Sequence, residues 1–176
     1  MGDEYYLFYA GGDREQTRRI CLATAPVSDV TKWRRHGPLF DVGGNGAFDE
    51  LWCVLPCVHR IGGKWHLYYS GRSSGPGGLQ AFCGIGLAVG DDLKTWEKRH
   101  RADPEGRWIS RLAEQQGHRR RRQGENLSLP PTGTGWEGKM TEYPNVIEEN
   151  GKLRLFYCGN GYGSTGIGTA LADPLD

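Results

Sequence analysis

The sequence predicts an all-β fold built from repeated units of short antiparallel strands, and three observations lead there. Glycine fills 28 of 176 positions, more than twice the usual share of about 7%. In a helix each glycine would cost about 1 kcal/mol relative to alanine, whereas tight turns between strands need it. Aromatic residues are also abundant, with 6 Trp, 8 Tyr and 5 Phe, and they alternate with aliphatic ones at the period of a strand. The third observation is internal repetition.

The repeat shows first in three aromatic stretches. Residues 5–12 read YYLFYAGG, residues 65–71 WHLYYSG and residues 153–159 LRLFYCG. Each runs to a Tyr, a small residue and a Gly: Tyr9-Ala10-Gly11, Tyr69-Ser70-Gly71 and Tyr157-Cys158-Gly159. A second strand follows each one, at 20–23, 84–89 and 166–171. These are predicted to pair antiparallel with 5–9, 65–70 and 153–158. A turn and a Trp close two copies, from Asp29 to Trp33 and from Asp92 to Trp96.

The segment ahead of the aromatic strand repeats as well. Pro56-Cys57-Val58 and Pro144-Asn145-Val146 occupy matching places, and eight residues before each Pro stands an aromatic–acid pair, Phe48-Asp49 or Trp136-Glu137. Gly62-Gly63-Lys64 and Asn150-Gly151-Lys152 are hairpin turns between strands. Three or four strands in a unit of about 60 residues is the pattern of a β-propeller blade. Residues 1–98 then hold a partial first blade and a second. Residues 99–135 form an Arg-rich irregular insert, and residues 136–176 a third blade of the same propeller-type domain. About three blades fall short of the four to eight that close a ring, so a fragment, or a chain that needs a partner to close, is expected.

Charge and composition narrow the function classes. A net charge of +1 gives no overall steering toward nucleic acid or anionic lipid. No apolar run approaches the roughly 18 residues of a membrane span, and the acidic start at Asp3 and Glu4 lacks a basic leader region. A cytoplasmic protein without nucleic-acid or membrane partners is expected. Five cysteines without CxxC pairing are read as buried free thiols, and five His without ligand spacing relative to them make zinc an unexpected ligand, so neither metal nor cofactor is expected. The run Arg119-Arg120-Arg121-Arg122 is read first as part of a disordered or frameshifted insert over 99–127, with an ordered loop and a basic patch as alternatives. Gly84-Ile85-Gly86 and Gly166-Ile167-Gly168 open no helix after a strand, so they are not phosphate cradles.

The residues GKWHLYYSG at 63–71, GIGLA at 84–88, the Asp92–Trp96 turn and Glu142-Tyr143-Pro144-Asn145 resemble the five-bladed β-propeller glycoside hydrolases. The likeness is to families 43 and 32 and the related family 130 mannoside phosphorylases. It covers roughly residues 5–98 and 136–176 and implies an incomplete five-bladed propeller. The resemblance also implies a site at the axial mouth, with carboxylates from the innermost strands. Glycosidic cleavage needs an acid for the leaving oxygen and a base or nucleophile on the opposite face of the sugar. Glu142, just before Tyr143-Pro144, matches the family acid. Val54 stands where a carboxylate would be expected in the preceding blade, which leaves Asp49 as a second candidate catalytic group.

Trp52, Tyr143, Arg72 and Asn160 are candidate substrate-binding residues, with Trp136 and Tyr162 as further aromatics, because pyranose rings stack on aromatic planes beside a few polar groups. The expected function is a glycoside hydrolase-like propeller that acts on or binds a carbohydrate. The expected isolated chain lacks the full catalytic set; the alternative is a non-catalytic carbohydrate-binding or scaffold propeller.

Overall fold

The computed structural model describes residues 2–74, 82–99, 127–129 and 131–172. The Arg-rich insert anticipated at 99–127 lies almost wholly outside the described residues. Eleven strands and one 3-10 turn, at Gly135–Glu137, are formed among those described.

Strands β1 (Glu4–Gly12), β2 (Arg18–Pro26) and β3 (Arg34–Pro38) form the first antiparallel unit. Strands β4 (Trp52–Ile61), β5 (Lys64–Ser73), β6 (Phe82–Gly90) and β7 (Glu97–Lys98) form the second. A short β8 (Leu127–Leu129) runs along β6 beside β7. The third unit comprises β9 (Glu142–Glu149), β10 (Lys152–Cys158) and β11 (Ile167–Ala172). The expected pairs are present: β1 with β2, β5 with β6, and β10 with β11. Backbone pairing between the first and second units comes down to one parallel pair, Arg18 opposite Trp52.

Side-chain alternation explains how the units stack. Along β5, Leu67 and Tyr69 pack with Ile20, Phe48, Ala88 and Trp96 toward the first unit, while Tyr68 packs with Ile85, Leu87, Val146 and Leu155 toward the third. A sheet buried on both faces has both sets of alternating positions apolar, and KWHLYYSG supplies them. Trp96 meets Phe8 edge to face, with ring centroids 6.1 Å apart. The far faces of the end units stay open: Tyr5 and Leu7 on β1, and Ile147, Ile167 and Leu171 on the third unit, are exposed.

The hairpin turns fix register. Gly62 and Gly63, like Asn150 and Gly151, all have positive φ, as a two-residue type I′ loop requires. They set Ile61 opposite Lys64 and Glu149 opposite Lys152. Each inner strand then carries one extra residue at the same place. Between Cys57 and Val54 on β4, and between Asn145 and Glu142 on β9, the register slips. Leu55 and Tyr143 sit there with φ 58 in both cases, each immediately ahead of a proline. Proline has no N–H for the ladder, so a bulge is the economical place for it. A bulky side chain at positive φ is a true outlier, and its recurrence in two units marks the corner as built into the fold.

Candidate functional site

The aromatic–acid pair turns out to be a clasp within the second and third units. Phe48 stacks on Tyr69 with centroids 6.0 Å apart, and the Tyr69 hydroxyl donates to Asp49 Oδ2 at 2.9 Å. In the third unit Trp136 stacks on Tyr157 at 5.7 Å, and the Tyr157 hydroxyl donates to Glu137. Glycines make room for these rings. A Cβ on Gly86 would lie 2.5 Å from Tyr69 Cζ, and one on Gly168 2.8 Å from Tyr157 Cζ. On Gly71 and Gly159 it would strike Phe48 and Trp136, each at 2.3 Å. The Tyr-x-Gly and Gly-Ile-Gly signatures are thus the footprint of one stacked ring pair.

Asp49 belongs to this clasp. It is completely buried, ion-paired with Lys98 Nζ at 2.7 Å, and accepts from the Cys53 thiol at 3.4 Å. Its surroundings differ from those of Glu142, and the two carboxyls share none of their named partners. Asn160 likewise serves its own turn. Its Nδ2 donates to the Gly135 carbonyl at 3.0 Å and its Oδ1 accepts from the Lys139 N–H at 2.8 Å, so both ends of the amide hold the 135–139 segment.

The other candidates meet in a row across one end of the second blade. Register places Arg18 beside Trp52, Trp52 opposite Arg72, Arg72 opposite Cys83, and Cys83 beside Met140. The Thr141 N–H donates to the Cys83 carbonyl at 3.2 Å, and Glu142 follows. The row therefore crosses from the first unit to the third. The guanidinium carbons of Arg18 and Arg72 lie 4.1 and 4.3 Å from the Trp52 ring centroid, within cation–π range. The Trp52 indole N–H donates to the Gln16 carbonyl at 3.0 Å. Arg72 Nη1 donates to the Tyr162 hydroxyl at 3.4 Å.

Glu142 is the buried acid of the row. Burial pushes its carboxyl above the usual range, opposed by a hydrogen bond from the Cys83 thiol and by the charge of Arg72. Burial also pushes the Cys83 thiol up, reinforced by Glu142, so the thiol stays a neutral donor. Tyr143 is exposed beside it, its backbone N–H donating to Ser70 Oγ at 3.1 Å. The corner can thus offer a proton from a carboxylic acid, hydroxyls from Tyr143 and Tyr162, and a guanidinium fork from Arg72.

The structure brings together Trp52, Arg72, Glu142, Tyr143 and Tyr162, and engages Asp49 in the clasp of the second blade and Asn160 in the turn that holds residues 135–139. Cys83 and Arg18 were missed by sequence reasoning. Their signal was register: each is aligned with Trp52 or Arg72 once the strands are paired.

No protein-family model matches the chain. Among curated proteins, it is similar to the uncharacterized protein Rv1502 of Mycobacterium tuberculosis (strain ATCC 25618 / H37Rv), with 32% identity over 98% of this chain and 48% of that protein. The uncharacterized protein MT1551 of strain CDC 1551 / Oshkosh is 25% identical over the same shares. The chain spans about half the length of these relatives.

Among solved structures, a thermostable family-43 glycoside hydrolase matches with TM-score 0.65 and 21% identity over 98% of this chain and 48% of its own. A family 117 glycoside hydrolase from Zobellia galactanivorans matches with TM-score 0.64 and 17% identity, over 99% and 52%. An α-L-arabinofuranosidase from Lactobacillus brevis follows with TM-score 0.61 and 13% identity, over 100% and 48%. The blade clasps, the doubly buried second sheet and these matches together identify the fold: the chain is built of β-propeller blades like those of the glycoside hydrolases it matches, across about half their length.

Proposed function

We propose that the chain forms part of a carbohydrate site of glycosidase type, in which Glu142 is the proton donor and Arg72, Tyr143 and Tyr162 hold the sugar. The single observation that carries this reading is the corner at the start of β9. There a buried carboxyl, raised by desolvation, is held between a neutral thiol and an arginine beside a strained, exposed tyrosine. A general acid needs its proton retained toward neutral pH, which burial favours. The fold neighbours named as glycoside hydrolases and an arabinofuranosidase support the sugar as ligand class.

The matching corner of the second blade carries Val54, so the base or nucleophile that glycoside cleavage also requires does not come from there. The chain by itself is accordingly read as binding sugar without turning it over. Titration of the labelled protein with neutral mono- and disaccharides should shift the resonances of Trp52, Arg72, Tyr143 and Tyr162, and aryl glycosides should remain uncleaved. Shifts confined to the hairpin ends near Gly63 and Gly151 would place the ligand elsewhere. Cleavage lost in Glu142→Gln would show that the chain holds a complete catalytic pair.

A further inference from the structure

Five cations of the described residues, Arg19, Lys32, Lys64, Lys98 and Arg154, each lie within ion-pair distance of an Asp or Glu carboxylate. Like Arg34, Arg35 and Arg60 among others, Arg18 and Arg72 do not, among the described residues. Both instead rest against one indole, and that indole is fixed by its N–H bond to Gln16 and by the pairing of Trp52 with each arginine in turn. Trp52 stands between the strands that carry the two arginines, so the indole bears a cation from each neighbouring strand. Among the described residues no Asp or Glu carboxylate lies within ion-pair distance of either guanidinium, and the Glu142 carboxyl that Arg72 influences is raised by burial. An oxyanion would complement these two cations.

Resting on the reading of this corner as a sugar site, we propose that its ligand is an acidic saccharide, one whose sugar carries a carboxylate or a phosphate ester, with Arg72 and Arg18 receiving the anionic oxygens. The chemistry of the donors fits. A guanidinium presents parallel N–H groups that match a carboxylate or a phosphate, and stacking on an aromatic plane leaves its edge free to donate. Holding both side chains against Trp52 before the ligand arrives reduces the ordering cost of binding. Arg72 also joins Tyr162 and faces Glu142, so an anion on Arg72 sits within the same corner as the acid. Arg18, exposed at the start of β2, extends the positive edge toward the first blade. The Trp52 ring serves as the post for the cations, which reassigns it from sugar stacking to anion recognition and leaves Tyr143 and Tyr162 as the exposed rings for a sugar face.

The test is binding by calorimetry of the full chain to matched probes: galacturonic acid and its dimer, mannose 6-phosphate, and the neutral parents galactose and mannose, with inorganic phosphate alone as a further probe. At least one acidic probe should bind about tenfold or more tightly than its neutral parent, the scale of a charge-assisted hydrogen bond, and the preference should shrink as salt is raised. Which acidic probe leads distinguishes a carboxylate from a phosphate ester. Arg72→Gln should abolish the preference, Arg72→Lys should retain part of it, and the exposed Arg18→Gln should halve it or more while leaving the fold intact. Equal binding of acidic and neutral sugars would overturn the proposal and leave the sugar site standing. Binding of inorganic phosphate with no gain for either acidic sugar would overturn it as well. Failure of every saccharide to bind would overturn both readings together.

Discussion

Gly86 shows at the level of one residue why the repeated glycines stand where they do. Its backbone is not in the left-handed region; what it lacks is space, because the Tyr69 and Phe48 rings lie 2.5 and 2.7 Å from where a Cβ would be. Gly86→Ala should therefore destabilise the chain by about 1–3 kcal/mol, the usual scale of overpacking. Gly44→Ala, where nothing lies within 4 Å, should change stability by less than about 0.5 kcal/mol. Urea unfolding of the two variants makes the comparison. Asp49 gives a second test. Lys98→Met would strand a fully buried carboxylate, and removing one partner of such a pair costs about 3–5 kcal/mol. The double variant Asp49→Asn with Lys98→Met should recover much of that loss; equal stability of the wild type and Lys98→Met would mean that the pair is not closed in solution.

For the elements, the strand pairs were legible because their signals are local. Alternation within WHLYYSG, a Gly-Gly or Asn-Gly loop, and glycine at each strand end suffice to set β4 against β5 and β9 against β10. The site was only partly legible because it depends on one extra residue in each inner strand. Counting back from the Gly62-Gly63 loop without a bulge puts Trp52 opposite Ser73; the slip between Val54 and Cys57 puts it opposite Arg72 instead. Pro56 was the available hint, since it cannot donate to the ladder, yet a proline does not say which way a strand bends. The aromatic–acid pairs were legible as a repeat and opaque as to role, because their partners, Tyr69 and Tyr157, lie twenty residues farther along the chain. Removing a clasp should test each blade separately. Phe48→Ala, buried at 3% exposure, should cost about 3–5 kcal/mol, and Trp136→Ala, 37% exposed, distinctly less. Hydrogen exchange should show the loss spreading through β5 and β6 in the first case and through β10 and β11 in the second.

Across the whole molecule, stability should carry the mark of Glu142. Its carboxyl is raised on folding, so the folded chain binds that proton more tightly than the unfolded one. The stability this contributes is complete below the unfolded carboxylate range and is lost as pH rises through the folded value. Asp13, Asp29, Asp41 and Asp92 are all lowered by hydrogen bonds or a neighbouring arginine and act in the opposite sense, so the comparison must be by difference. Glu142→Gln should gain on the wild type as pH rises out of the unfolded carboxylate range and through the raised folded value, in parallel thermal melts. A constant offset across that range would remove the protonated acid from the account. The clasps have a consequence for descent. Aromatic, acid, tyrosine and both glycines of one clasp come from a single uninterrupted stretch of chain, from Phe48 to Gly86 in one blade and from Trp136 to Gly168 in the other. Copying that stretch once copies a finished lock together with its key, so a blade duplicated in a gene arrives already able to hold its own shape. Only the surfaces that meet its neighbours, and the residue two places ahead of the proline, remain free to differ, and there one blade carries Val54 and the other Glu142.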